Sequence, residues 1–181
     1  MIKLIKFILI ALLANSCISK KGTEYANDFN NMEDTVFQEK YFQSEITDKY
    51  SFKNIKYGEA YFVYNNNFTF QIIVFSENRF IYKSQLMPNK ARNNFPIQKL
   101  FRGSTFSVTG NTLKIKSMAR TPGNTYLVVE EGIIKNDTIY INKQYNAHGI
   151  KNKEILSKEI YLAPDIKVVN FENNYYVEKI N

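Results

Sequence analysis

The feature that most constrains this chain is a succession of short aromatic and β-branched segments, each closed by a few polar residues. Tyr57–Tyr64 ends at Asn65-Asn66-Asn67, and Phe68–Phe75 ends at Ser76-Glu77-Asn78. Arg79–Lys83 follows. Ser104–Thr109 and Thr112–Lys116 flank Gly110-Asn111, residue types that accept the positive φ of a two-residue hairpin turn. Tyr126–Val129 leads through Glu130-Glu131-Gly132 to Ile133–Lys135. Asn136-Asp137 then turns into Thr138–Ile141, and Glu154–Leu162 supplies another segment. Ile166–Val169 or Tyr175–Ile180 adds one more. Segments of this kind, spaced roughly 8–12 residues apart, predict a mostly β chain. The expected fold is an antiparallel meander forming a barrel or sandwich of about eight or nine strands. No alternation with long helices speaks for a parallel α/β sheet. In Leu113-Lys114-Ile115-Lys116 apolar and charged residues alternate, so one strand face is expected to be buried and the other wet.

Two regions lie outside the meander. The offsets Phe29, Met32, Val36 and Phe37, Tyr41 suit one face of a short N-terminal helix. Residues 84–103 hold Pro88 and Pro96 and lack a clear period. A stretch of that length is expected to be a functional loop or to hold a short helix near Gln98–Phe101.

The first residues carry Lys3 and Lys6, then the apolar run Phe7–Ala14, then Asn15, Ser16 and Cys17. This is the order of a secretory signal peptide: charged, apolar, then a small residue at the cleavage site. The apolar run is far shorter than the roughly 20 residues of a transmembrane helix. Cys17 is the only cysteine, so it has no internal disulfide partner. The segment Leu13 to Cys17 resembles the lipobox of bacterial lipoproteins. That resemblance implies a signal peptide over residues 1–16 and a diacylglyceryl and acyl (palmitate-type) anchor on Cys17. The polar residues that follow, from Ser19, Lys20, Lys21 and Gly22, are expected to form a tether over 17–31, and the remaining length suits a single β-rich domain over 32–181. Membrane attachment through the anchor follows, and the lack of an Asp directly after Cys17 favours the outer membrane.

Phe106 to Ile115, followed by Gly132 to Ile139, resembles small lipocalin-like lipoproteins of Bacteroidetes, in which "Gly-Asn, Leu-x-Ile" and "Gly-x-Ile-x-x-Asp-x-Ile" hairpins recur. The resemblance implies a barrel; the chain has no Trp and so lacks the lipocalin Gly-x-Trp motif, and a ligand cavity is not carried over with the resemblance.

Chemistry-bearing patterns are few. One His and one Cys do not make a zinc site of the usual kind, and no cofactor or metal is expected. His148 lies in a polar loop, no Gly-x-Ser-x-Gly elbow is present, and no catalytic residue is assigned. Adjacent Glu130 and Glu131 would point to opposite faces of a strand. The chain is therefore expected to bind rather than to catalyse.

Charge is uneven within a formal net charge of +7. From Asn78 to Val129 there are nine basic residues and no acidic one, and Lys83, Lys90, Arg92, Lys99 and Arg102 are candidate contacts for an anionic partner, such as a headgroup or acidic glycan. Solvated strand faces are the alternative. Lysine outnumbers arginine, and with export this argues against nucleic acid as a partner. Among the crowded aromatics, Tyr61, Phe68 and Phe70 are candidates to line a cavity for an apolar ligand, or else ordinary core. Two functional expectations result: a lipid-anchored binding module for a small apolar or anionic ligand, or an interaction lipoprotein with a filled core that meets an envelope partner through a basic surface. Oligomeric state is left open.

Overall fold

A computed structural model describes residues 24–42, 55–121, 124–146, 158–172 and 174–180. The expected signal peptide, Cys17 and His148 lie outside the described residues. Eight antiparallel strands close into a barrel: β1 (Ala60–Asn65), β2 (Thr69–Phe75), β3 (Phe80–Lys83), β6 (Phe101–Thr109), β7 (Thr112–Thr121), β8 (Asn124–Lys135), β9 (Thr138–Asn146) and β10 (Lys158–Leu162). Each pairs with the next in that order, and β10 returns to pair with β1. Closure removes the exposed edges that an open meander would carry.

Residues 84–103 hold no helix near Gln98–Phe101 and are not one continuous loop; their last three residues already belong to β6. The residues before those form β4 (Met87–Pro88), which adds to β2, a 3-10 turn at Asn89–Ala91, and β5 (Gln98–Lys99). β5 joins β11 (Ile166–Phe171) and β12 (Asn174–Lys179) in a second, three-stranded sheet of order β11-β12-β5. Both segments offered as the final strand are therefore strands, and they pair with each other.

Turn chemistry fixes the hairpins. Gly110 takes φ 60° between β6 and β7, and Asn136 takes φ 55° between β8 and β9. Asn66 takes φ 59° between β1 and β2, where its side chain accepts from the Phe68 N–H at 3.1 Å. Asn tolerates this region better than most residues.

Alternation sorts the barrel into two layers of core. Tyr61, Val63, Ile73, Phe75, Ile81, Phe106, Val108, Leu113, Ile115, Ile134, Ile139, Ile141 and Ile160 point inward and fill the barrel. The opposite faces of β1, β2 and β3 carry Phe62, Phe70, Ile72, Val74, Phe80 and Tyr82, which are also buried. The second sheet covers them with Leu100, Ile166 and Val177, and the N-terminal helices cover them with Tyr25, Phe29 and Phe37. Burial on both faces explains why Phe70 to Phe75 reads as a nearly continuous apolar run.

The N-terminal segment departs from the expected tether. Residues 24–31 are helical (α1), and a second helix, α2, spans Asp34–Phe42. Tyr25 and Phe29 are buried against the barrel, and the Tyr25 hydroxyl meets Thr105 Oγ1 at 2.9 Å. The packed domain thus already includes residue 25, not only residues from 32 on. Lys40 ties the helices together by donating to Glu24 at 2.8 Å and Asp28 at 2.6 Å. The Asp28 carboxylate is held below the usual range by Lys40 first and by the Tyr41 hydroxyl second. Val36, expected on the buried face, is 48% exposed, because the chain turns between the two helices.

Gly132 sits at a register shift between β8 and β9. A Cβ there would collide with the Tyr140 carbonyl oxygen and lie 2.7 Å from Ile141 Cδ1. Gly132→Ala is expected to cost about 1–3 kcal/mol by overpacking, read as a lower urea midpoint at unchanged slope.

Candidate binding site at the barrel end

On β3, Lys83 shares the inward face of Ile81, and on β10 Lys158 shares that of Ile160 and Leu162. On β8, Glu130 shares the face of Gly132 and Ile134. Three charged groups are thus directed to the barrel interior beyond its apolar filling. The Lys158 ammonium donates to both Glu130 oxygens, at 3.0 and 3.2 Å. Glu130 is only 7% exposed. Lys83 keeps partial solvent access, yet burial pulls its ammonium down to about 8. The neighbouring charge of Lys158 adds to that shift, and Glu130 opposes it. Ser104 and Ser117 face each other across β6 and β7, with hydroxyls 2.5 Å apart. They share the inward faces of Phe106 and Ile115 and bring two more polar groups to the interior.

Backbone detail makes room for Lys83. Its strand has a register shift at Ile81/Tyr82, where Ile81 pairs with Ser104 and Tyr82 with Arg102, so Gly103 is the extra residue. A Cβ on Gly103 would lie 2.7 Å from Lys83 Cδ and 2.9 Å from Cγ. The missing side chain leaves the channel in which the lysine stem lies.

The other basic candidates are not gathered with Lys83. Arg102 lies over the rings of Phe29, at 4.8 Å, and Phe80, at 4.9 Å, where it helps fix α1 to the barrel. Arg92 lies over Phe62, at 4.8 Å, and Tyr64, at 5.7 Å. Lys90 is exposed in the 3-10 turn and Lys99 is exposed on β5. Lys114 pairs with Glu131 at 3.2 Å. Glu131 also accepts from the Tyr145 hydroxyl at 2.7 Å, and this bond, ahead of Lys114, holds its carboxyl low. The basic stretch is therefore dispersed over one interior group, two cations on aromatic rings, a paired lysine and separate exposed lysines. Glu130 and Glu131 do lie on opposite faces of β8 and take different cations.

The aromatic candidates separate too. Tyr61 is inside the barrel, edge-on to Phe75 at 5.2 Å, and its hydroxyl accepts from the Lys56 N–H. Phe70 is buried on the outward face against Phe62 and Phe95. Phe68 is 77% exposed in the β1–β2 turn. They line no common cavity.

Sequence reasoning missed Glu130 and Lys158. The signal was present in Lys158-Glu-Ile-Tyr-Leu162, where strict alternation puts a lysine on the apolar face. Among the described residues, no group of three or more His, Cys, Asp or Glu is placed to hold a metal. Two ammonium groups and one carboxylate carry one surplus positive charge when all are ionised, in a setting where burial strengthens electrostatics. Such a site favours an anionic oxygen group. Comparison with protein-family models, curated proteins and solved structures finds no match to this chain.

Proposed function

We propose that this protein is an exported envelope lipoprotein, anchored by lipid on Cys17, whose barrel end binds a small ligand carrying an anionic group. The observation that supports this most directly is that Lys158 donates to both oxygens of the buried Glu130 while Lys83 is directed by strand parity to the same barrel interior, so two ammonium groups accompany one carboxylate there. A ligand carboxylate or phosphate would take up the surplus charge, and its apolar part would lie toward the barrel's aliphatic filling. The proposed role of the site is binding. The outer membrane is the proposed address. Attachment is assigned to the lipid on Cys17; among the described residues no helix is long and apolar enough to cross a membrane.

A second reading is an interaction lipoprotein with a filled core. It is favoured by the barrel interior, where thirteen strand residues from Tyr61 to Ile160 and Ile55 are packed as one buried cluster.

The two readings part on one measurement. The protein is purified from membranes without denaturation, and its native mass is compared with its denatured mass. A small anionic molecule lost on denaturation is expected, and Lys83→Met should reduce its retention about tenfold, the effect of losing one charge-assisted contact of ~1.4 kcal/mol. Equal native and denatured masses would favour the filled-core reading. Cys17→Ala is expected to move the protein from the membrane to the soluble fraction.

A further inference from the structure

The outer face of the small sheet carries an apolar cleft of about 310 Å³, lined by Ile97, Val169, Phe171, Tyr176, Val177 and Glu178. Ile97 and Phe171 are 65% and 62% exposed. Alternation explains the face. Ile166 and Val168 turn toward the barrel, so Lys167, Val169 and Phe171 turn away, and on β12 Val177 turns in while Tyr176 and Glu178 turn out. Lys99, paired in register with Tyr176, and Lys167 lie on this outer face. Its acid Glu178 is met by Lys167 at 3.3 Å, and Glu172 follows Phe171 in the turn. Exposed aromatics beside lysines are the residue types that settle at a bilayer interface, rings at headgroup depth and ammonium groups among phosphates.

Chain length supplies the second argument, and it rests on the proposed anchor at Cys17. Tyr25 is already packed in the domain, so only the residues between 17 and 25 connect the lipid to the fold. At full extension of about 3.5 Å per residue, that connection reaches no more than ~28 Å. The domain is held within roughly its own diameter of the bilayer. At the effective concentration such a short tether imposes, a small apolar patch too weak to recruit a free protein is enough to orient a tethered one.

From these two observations we propose that the β11–β12–β5 face rests on the phospholipid surface, with Ile97, Val169 and Phe171 at the interface and Lys99 and Lys167 toward the phosphates. The anchored domain then stands in one orientation rather than tumbling on its tether.

Cys17 is the only cysteine of the chain, so in the acylated protein an introduced cysteine is the sole free thiol. Phe171→Cys and, on the barrel at β8, Ile133→Cys are each spin-labelled in the full acylated protein. The proteins are reconstituted in vesicles of phosphatidylethanolamine and phosphatidylglycerol at 3:1. Ile133 is 50% exposed and lies outside the cleft. The ratio of accessibility to oxygen over accessibility to a water-soluble nickel chelate is expected to be several-fold higher at 171 than at 133. Equal ratios overturn the proposal. A label at 171 shielded from both reagents, increasingly so with protein density, overturns it in favour of contact between copies. Flotation of the protein beside Cys17→Ala reads the anchor separately. Flotation with equal ratios sinks the docking face alone. Loss of flotation with a raised ratio at 171, on added vesicles, sinks the anchor and leaves the docking face standing.

Discussion

Glu130→Gln is expected to lower stability at pH 7 by about 3 kcal/mol, at the lower end of the range for removing one partner of a buried ion pair. The carboxylate is nearly buried, and both its oxygens accept from the one Lys158 ammonium group. Without it, Lys158 and Lys83 confront each other as two ammonium groups with no charge between them. Lys158 retains some water access, which is why the lower end applies. Urea unfolding of the two proteins at matched pH measures the loss. Adding Lys83→Met to Glu130→Gln should recover a good part of it, since one of the opposed charges is gone. A double variant no more stable than the single one would show that Lys83 does not feel this pair.

The same cluster dictates how stability varies in alkaline solution. Lys83 has its ammonium pulled down from 10.5 to about 8, chiefly by burial. Between those values the unfolded chain binds more protons than the folded one, so stability rises with pH across that window, and below it the cost of the buried charge is borne in full. Above about pH 10 the trend reverses. Tyr57 and Tyr61 have hydroxyls pushed up by burial, so the unfolded chain ionises first. A maximum between about pH 9 and 10 is therefore expected, and Lys83→Met should flatten the rising limb while leaving the fall intact.

Phe75→Ala is expected to cost about 3–5 kcal/mol, the range for removing a buried Phe side chain from a packed core. Its ring is fully buried, edge-on to Tyr61 at 5.2 Å and to Phe106 at 5.0 Å, and so joins β1, β2 and β6 through the middle of the barrel. For a domain of this size the midpoint of thermal unfolding should fall by roughly 10 °C or more. Phe68→Ala, in the exposed turn, should change it little, which separates the interior ring from the surface ring two positions before Phe70.

How far the sequence carried these features follows from where each signal resides. The hairpins were legible because their determinants are local. Gly110-Asn111 and Asn136-Asp137 sit at the turns, and Leu113 to Lys116 alternates as a half-buried strand must. The second layer was only half legible. Phe70 to Phe75 loses its alternation because both faces are buried, but nothing local says that β11, β12 and a two-residue β5 supply the cover. The helices misled in a different way. Tyr25 is an isolated apolar residue in a polar stretch, so the stretch up to it reads as a tether, although its ring, like that of Phe29, fills a site on the barrel wall. The charged cluster was hidden by the length of the basic run from Arg79 to Arg120. Taken together these residues suggest a surface field, whereas the direction of each is set by strand parity, which sends Lys83 inward with Ile81. Glu130 and Lys158 meet because β8 and β10 both flank β9, a juxtaposition fixed only by the order of strands.

The pairing of β1 with β10 has a consequence for how the chain comes to be folded at all. Phe62 is matched with Tyr161, so the first barrel strand waits for nearly the whole polypeptide before its second edge is covered. Such long-range pairings are slow to form, and an uncovered strand edge recruits other chains. A chain delivered from its N-terminus, whether by the ribosome or through a narrow pore, cannot close this barrel until its last fifth has arrived. Delivery therefore precedes closure, and the interval is one in which β1 and β9 each need shelter from neighbouring molecules.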